Sequence, residues 1–387
     1  MDPAIVALPR EVVPADACLV KETQNNPLTE AGEERSISSM TANPPIENSR
    51  NLPASAPRGE HASDPALPTT PIRYDIIGDI HGHADALRAL LAKLGYEENG
   101  GFYGHPERKV IFVGDFVDRG PKIRETLRIV RAMTDHGAAL AVAGNHEFNA
   151  IRFHTLGPKG KPLRPHTENN VRQHRATLDE IAEPFPDEWR EWIAWFKTLP
   201  LALDLGGLRI VHASWCPRSL AVIGGRRFDD AELLYRSSNP DYPEYQAVSA
   251  LLNGPEIELP VGVFFRDKEG HERTEIRVRW FRDGTEAGPI TYRSLVLPAS
   301  DHVPEVPVDV EVLAKLLSYD ESEPPVIFGH YWLDPAAPRP LARNAASVDY
   351  SVAAKTGGLL TAYRWDGERV LSYEKFVTVP TRPDRPS

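Results

Sequence analysis

Cysteine is scarce: the 387 residues contain two, Cys18 and Cys216, too few for a disulfide framework or a multi-cysteine zinc or iron–sulfur site. That count fits a reducing compartment, and a cytoplasmic protein is expected. Aromatic residues are missing before Tyr74. Residues 1–70 therefore lack the large apolar side chains that offset ordering entropy, and ten of the 36 prolines fall there, so this stretch is expected to be a disordered tail. No apolar run approaches the roughly 18 residues of a membrane span. The stretch Ala4–Leu8, between Pro3 and Pro9, is too short for a secretory signal. Positive charge is in deficit as well, with 44 Lys and Arg against 55 Asp and Glu and a net charge of −11. Such a surface is unsuited to the phosphate backbone of a nucleic acid, and neither nucleic acid nor membrane is expected as a partner.

What is present, from Tyr74 onward, is a recurring unit of short apolar strand, polar strand end and helix. Tyr74–Ile77 runs into Gly78-Asp79-Ile80-His81-Gly82, followed by Leu87, Leu90, Leu91 and Leu94 at helical spacing and by Gly95 as a stop. Val110–Val113 leads into Gly114-Asp115-Phe116-Val117-Asp118-Arg119-Gly120 and then a helix with Ile123, Leu127 and Val130 on one face. Ala138–Ala143 is a third strand, ending in Gly144-Asn145-His146-Glu147. Helical patterns fill roughly 169–198, with Asp187 as cap and Trp189, Trp192, Ile193 and Phe196 as a core stripe. Leu201–Leu205 and Leu208–Val211 form a hairpin that delivers His212, and Val326–Phe328 delivers Gly329-His330. Leu359–Trp365 and Arg369–Tyr373 read as a last hairpin across Asp366-Gly367. One α/β domain over 71–380 is expected, with Ser214–Pro325 as a large insertion containing a strand at Glu275–Phe281.

Five strands thus end in residues able to bind metal, and in open α/β sheets ligands bind outside the carboxyl ends of strands. Asp79 and His81, two apart in extended backbone, share a face. A donor set of carboxylates, imidazoles and one amide, without thiolate, suits divalent Mn, Fe, Co or Zn. His83 and Asp85 read as the start of a helix, Glu147 as the anchor of its turn, and Cys216 as an ordinary thiol.

The three motifs, in order and each after a strand, with His212 and His330 downstream, resemble the calcineurin-like metallophosphoesterases. Within them the similarity is greatest to the branch of the phosphoprotein Ser/Thr phosphatases and the bis(5'-nucleosyl)-tetraphosphatases. The resemblance covers about 74–150, short stretches around 199–213 and 326–333, and the C-terminal hairpin, and leaves the insertion uncovered. It implies a four-layer α/β/β/α sandwich and a cofactor of two divalent metal ions, manganese first, with Fe, Zn, Co or Ni as alternatives. Asp79, His81 and Asp115 would hold one ion, and Asp115, Asn145, His212 and His330 the other. A metal-bridging hydroxide would attack phosphorus in line. His146 would protonate the leaving oxygen, oriented by Asp118, while Arg119, together with Asn145, would bind the phosphate of the substrate.

The expected function is metal-dependent hydrolysis of phosphomonoesters or phosphoproteins. The alternative is a nucleoside polyphosphate hydrolase of the bis(5'-nucleosyl)-tetraphosphatase kind, and a third reading is a non-catalytic binding protein. The partner is accordingly a phosphorylated substrate: phosphoprotein, nucleotide or small phosphoester. Val348-Asp349-Tyr350 and Gly357-Gly358 lean toward the tetraphosphatase pattern, whereas Ala213-Ser214 replaces the two glycines usual after the histidine in protein phosphatases. A second phosphate-binding arginine is expected among Arg218, Arg226, Arg227 and Arg266, with Trp215 and Tyr235 able to stack on a base.

Overall fold

The fold is that of a computed structural model, which describes residues 73–266, 272–281, 289–316, 319–355 and 357–381. The expected tail over 1–70 lies outside the described residues. At the centre of the larger sheet is the strand Arg73–Ile77, parallel to Arg108–Phe112 and antiparallel to Leu359–Trp365. Arg108–Phe112 is in turn parallel to Ala139–Ala141, and Leu359–Trp365 pairs with Phe376–Pro380 and Asp349–Tyr350. A second sheet joins Ala202–Asp204, Arg209–Val211, Val326–Phe328 and Ala345–Ser347. Its first two strands form the expected hairpin, and the remaining pairings are parallel.

Alternation along each strand sends side chains to two different cores. Ile76, Ile111, Ile210, Ile327 and Tyr363 fill the space between the sheets. Ile77 and Phe112 point the other way, toward Leu87, Leu90 and Leu91 of the helix Ala84–Leu94 and Leu127 and Val130 of the helix Ile123–Asp135. The first of these helices ends at Gly95, whose φ of +90° lets its N–H turn back to close the last turn. The second sheet is covered by the helices Pro217–Ile223 and Pro243–Asn253 and by Trp280, which lies 5.1 Å from Phe328 between ring centroids. Its indole N–H donates to the Ala213 carbonyl at 3.1 Å. The four layers expected from the motifs are therefore present. Among the described residues no helix is long and apolar enough to cross a membrane.

Several local expectations are corrected. Within 214–325 the helices up to Asn253 pack into the main core, as do Trp280 and Phe281, whereas Ile257, Ile276, Val278, Tyr292, Leu295 and Val303 form a smaller core of their own. Within it the strand is confined to Glu275–Arg277, paired with Glu256–Glu258. Asp187 is not a cap. Pro186, lacking an N–H, takes the first helical position, so Phe185 is the cap and Asp187 falls in the first turn, where its carboxylate faces the positive helix end. The last hairpin does not resume at Arg369, because Glu368 accepts from both Tyr363 Oη and Trp365 Nε1 at 2.9 Å and holds the chain in a loop until Phe376.

Asp75, on the central strand, has its carboxylate buried among three donors. Tyr96 Oη, Arg108 Nε and Arg364 Nε donate to it at 3.0, 2.9 and 3.1 Å. Removing one partner of a buried ion pair costs about 3–5 kcal/mol, because the other charge stays buried. Asp75→Ala is therefore expected to lower the unfolding free energy by about 3 kcal/mol in a denaturant titration. A loss under about 1 kcal/mol would show that water replaces the carboxylate.

Candidate active site

The edge where the parallel strands end is built from strained turns. Among the described residues, every non-glycine residue with positive φ lies in the turns of this edge: His81, Asp115, Asp118, Arg119, His330, Trp332 and Ser351. Each such backbone costs on the order of 1–3 kcal/mol, and such strain gathers at functional sites. Two glycines are needed for close approach. A Cβ on Gly144 would lie 2.3 Å from Asp115 Oδ1, and one on Gly329 would lie 2.1 Å from Asp79 Oδ1.

These turns bring Asp79, His81, Asp115, Asn145, His212 and His330 into one cluster. His81 Nδ1 donates to the Val117 carbonyl at 2.9 Å, which aims Nε2 at Asp115 Oδ2, 3.6 Å away. His212 Nδ1 donates to the Val113 carbonyl at 2.7 Å and leaves Nε2 3.5 Å from Asp115 Oδ1 and 2.9 Å from Asn145 Oδ1. In the neutral imidazole that Nε2 is an acceptor, so two lone pairs face each other, an arrangement that a cation relieves. His330 Nδ1 is 3.0 Å from the same Asn145 oxygen, and its backbone N–H reaches both Asp79 oxygens at 3.2–3.3 Å. The Nε2 atoms of His81 and His330 are buried without a hydrogen-bond partner among the described residues. Ligand atoms of Asp79, Asp115 and His212 lie within 4.8 Å of one another, as do those of His81, Asp115 and His146. Orphaned imidazole nitrogens beside buried carboxylates are what a divalent-metal site requires, so these residues fit the ions that the family resemblance implies.

The electrostatics agree. Burial, then the carboxylates of Asp349 and Asp115, push the Asp79 carboxyl well above its usual range. Burial pushes Asp115 upward too, but the imidazoles of His212, His146 and His81 outweigh it and hold Asp115 below the usual carboxylate range. Burial, followed by His146 and Arg119, keeps His81 well below its ordinary value.

Beside the cluster, His146 Nδ1 donates to Asp118 Oδ2 at 2.5 Å, the pairing expected of an acid and its orienter. Burial lowers the pKa of His146, but Asp115 and Asp118 outweigh it and raise the net value. Asp118 is held further: its Oδ1 accepts from His174 Nδ1 at 2.7 Å and from Thr177 Oγ1 at 2.5 Å. Arg119 reaches to 3.4 Å from His146 Nε2, with its guanidinium 4.3 Å over the Trp332 ring. Asp349 positions that tryptophan by accepting its N–H at 2.7 Å. The sequence motifs do not single out His174, Thr177 or Trp332. The available signal for His174 is an imidazole on the buried side of a helix, three residues before Thr177.

Other expectations resolve readily. His83 stands at the N-cap position of its helix, Asp85 lies in the first turn and pairs with Lys122 at 2.7 Å, and Cys216 is a buried thiol at a helix start. Arg226 spends Nε and Nη2 on the carbonyls of Ile223 and Val222, and Arg266 pairs with Glu272. Trp215 is buried beneath Arg209 and presents no face for a base.

A family model, calcineurin-like phosphoesterase, matches residues 72–284, more than half of the chain, and the chain belongs to that family. The match also runs through the first part of the segment expected to be uncovered. The chain is 38% identical over 144 residues to the asymmetrical bis(5'-nucleosyl)-tetraphosphatase PrpE of Bacillus velezensis, 36% of this chain and 55% of that protein. It is 36% identical over 141 residues to the symmetrical bis(5'-nucleosyl)-tetraphosphatase of Aromatoleum aromaticum, 36% of this chain and 44% of that protein. The matched stretch spans about half the length of these curated relatives. Among solved structures, a serine/threonine phosphatase of Saccharomyces cerevisiae is similar with a TM-score of 0.45 and 14% identity, over 82% of each chain.

Glu147 does anchor its turn, as expected. Its carboxylate accepts the N–H groups of Asp115 and Phe116 at 2.8 Å and of Gly144 at 2.9 Å, tying two ligand turns together. Glu147→Ala strands three buried donors at about 1–3 kcal/mol each. Chemical denaturation is expected to register a loss of about 3 kcal/mol or more. A loss below about 1 kcal/mol would mean that the turns hold without it.

Proposed function

We propose that the chain hydrolyses phosphoanhydride bonds of nucleoside polyphosphates, dinucleoside tetraphosphates foremost, at a centre of two divalent cations, manganese first. The observation that carries the reaction class is the convergence of buried carboxylates with unpartnered imidazole nitrogens at one sheet edge. For the substrate, likeness to proteins named bis(5'-nucleosyl)-tetraphosphatases supports the polyphosphate reading over the phosphoprotein reading.

Asp79, His81 and Asp115 would hold one ion, and Asp115, Asn145, His212 and His330 the other. When bound, such cations polarise phosphoryl oxygens and lower the pKa of a coordinated water toward neutrality. The protein's own groups do the rest. His146 presents Nε2 to the leaving oxygen and delivers the proton, while Asp118, itself fixed by His174 and Thr177, sets the ring's orientation. Arg119 binds non-bridging phosphate oxygens with its planar fork. Half-buried Trp332 stacks on the Arg119 guanidinium and steadies it beside His146.

Three measurements test this. On the manganese-loaded protein, turnover of a dinucleoside tetraphosphate is expected to exceed that of a serine phosphopeptide by roughly tenfold or more in kcat/KM; the reverse order would restore the phosphoprotein reading. Asp115→Asn removes the carboxylate placed between both sets of ligands, so metal content by elemental analysis is expected to fall below two ions per chain, and full occupancy would refute the dinuclear assignment. His146→Asn is expected to keep its metal and lose roughly 10²–10⁴-fold in kcat on alkyl phosphates. The loss on p-nitrophenyl phosphate, whose leaving group needs little protonation, is expected to be smaller. Equal losses on both would remove His146 from the acid role.

A further inference from the structure

Two arginines withdrawn from solvent are paired with acids: buried Arg108 meets Asp75 and Asp366, and half-buried Arg209 meets Asp204 and Glu323. Arg152 and Arg164 depart from that pattern. Arg152 donates through Nη2 to Asn149 Oδ1 at 2.7 Å, and its Nε is sealed from solvent without a partner among the described residues. Arg164 donates through Nη2 to Gln173 Oε1 at 2.7 Å. Neither meets a carboxylate among the described residues. The two are tied together by the Arg164 N–H, which donates to the Arg152 carbonyl at 3.0 Å. Burial, and then the charge of Arg164, bring the Arg152 guanidinium down to about 10. Arg164 is attracted by Asp118, but that carboxylate is already occupied by His146, His174 and Thr177. Two neighbouring cations partly withdrawn from water, with no carboxylate in direct contact among the described residues, cost free energy that an anionic ligand would offset.

Their position relative to the site follows from the helix Asn145–His154. Of its residues 145–153, only Asn145, Asn149 and Arg152 are half-buried; the others are buried. Spacings of four and three place these three on one face, so a solvent-facing strip starts at the proposed metal ligand Asn145 and ends at Arg152. The span is two turns, about 10 Å. Long helical side chains lean toward the helix N-terminus, and Arg152 does so, with its guanidinium 4.1 Å over the Phe148 ring, one turn back toward Asn145. Arg164 approaches from the other side, beside the helix that carries Gln173 and His174.

We propose that Arg152 and Arg164 form an outer phosphate subsite, which holds the part of a polyphosphate chain extending from the metal ligands along the Asn145–Asn149–Arg152 strip. The proposal rests on the polyphosphate reading given above. It also moves the second phosphate-binding arginine from the 218–266 segment to Arg152, on the helix of Asn145 and His146, and Arg164, which feels the charge of Asp118.

The probes are inorganic tripolyphosphate and orthophosphate. Each is measured as a competitive inhibitor of p-nitrophenyl phosphate hydrolysis by the full-length manganese-loaded protein, with free manganese held constant, and by calorimetric titration in the same buffer. Tripolyphosphate is expected to bind more tightly than orthophosphate, and Arg152→Gln or Arg164→Gln to shrink that preference roughly tenfold, the size of one charge-assisted hydrogen bond. Arg152→Lys, which keeps the charge, is expected to retain most of it. A preference unchanged in both glutamine variants overturns the subsite. So does an equal weakening of both anions, which would mark a packing role. Should Arg152→Gln fail to fold, Arg164→Gln carries the same reading. A dinucleoside tetraphosphate left intact, with the tripolyphosphate preference still responding to both variants, would refute the function proposed above and leave the subsite standing.

Discussion

Repulsion among buried carboxylates is the constraint around which this protein is organised. Asp79, Asp115, Glu147 and Asp349 lie within one strand-end edge, and burial raises the pKa of three of them despite backbone donors. The protein answers in two ways. Glu147 and Asp349 are surrounded by N–H groups and act as struts that shape turns. Asp115 faces imidazoles whose other nitrogens are fixed by carbonyls, and Asp79 lies beside it, so their charge is left directed at a common space. The struts make the strained turns tenable, and the turns bring the ligands together. Packing, strain and charge at this edge are therefore one arrangement, and weakening a strut disturbs the ligands as surely as replacing one of them.

Much of this arrangement is legible in the order of the amino acids. A ligand placed straight after an apolar strand is marked by the change from apolar to polar residues, and the glycines that permit close approach stand next to it. Gly78-Asp79, Gly114-Asp115 and Gly329-His330 carry both marks, as the collision of a Cβ on Gly329 with Asp79 explains. Residues that act through tertiary placement alone carry no such mark. Thr177 reaches Asp118 from a helix 59 residues away, and Trp332 owes its position to a backbone bond with Asp349. The arginines mislead for a related reason. Nearness in sequence to His212 favours Arg226, but its donors satisfy carbonyls at the end of the helix that precedes it. Arg152, by contrast, shares the helix of Asn145 and His146 and is distinguished only by the face it occupies.

The pairing of the central strand has a consequence for how the chain is made. Arg73–Ile77 is held on one side by Arg108–Phe112, which follows within a few dozen residues, and on the other by Leu359–Trp365, about 280 residues later. At ribosomal rates of roughly 5–20 residues per second, that gap corresponds to about 15–60 s during which the strand has one neighbour and an open edge. The sheet that carries Asp79 is thus completed only after Leu359–Trp365 has been made. A nascent chain that lacks Leu359–Trp365 would expose an unpaired strand edge along Arg73–Ile77, the kind of surface that nucleates aggregation.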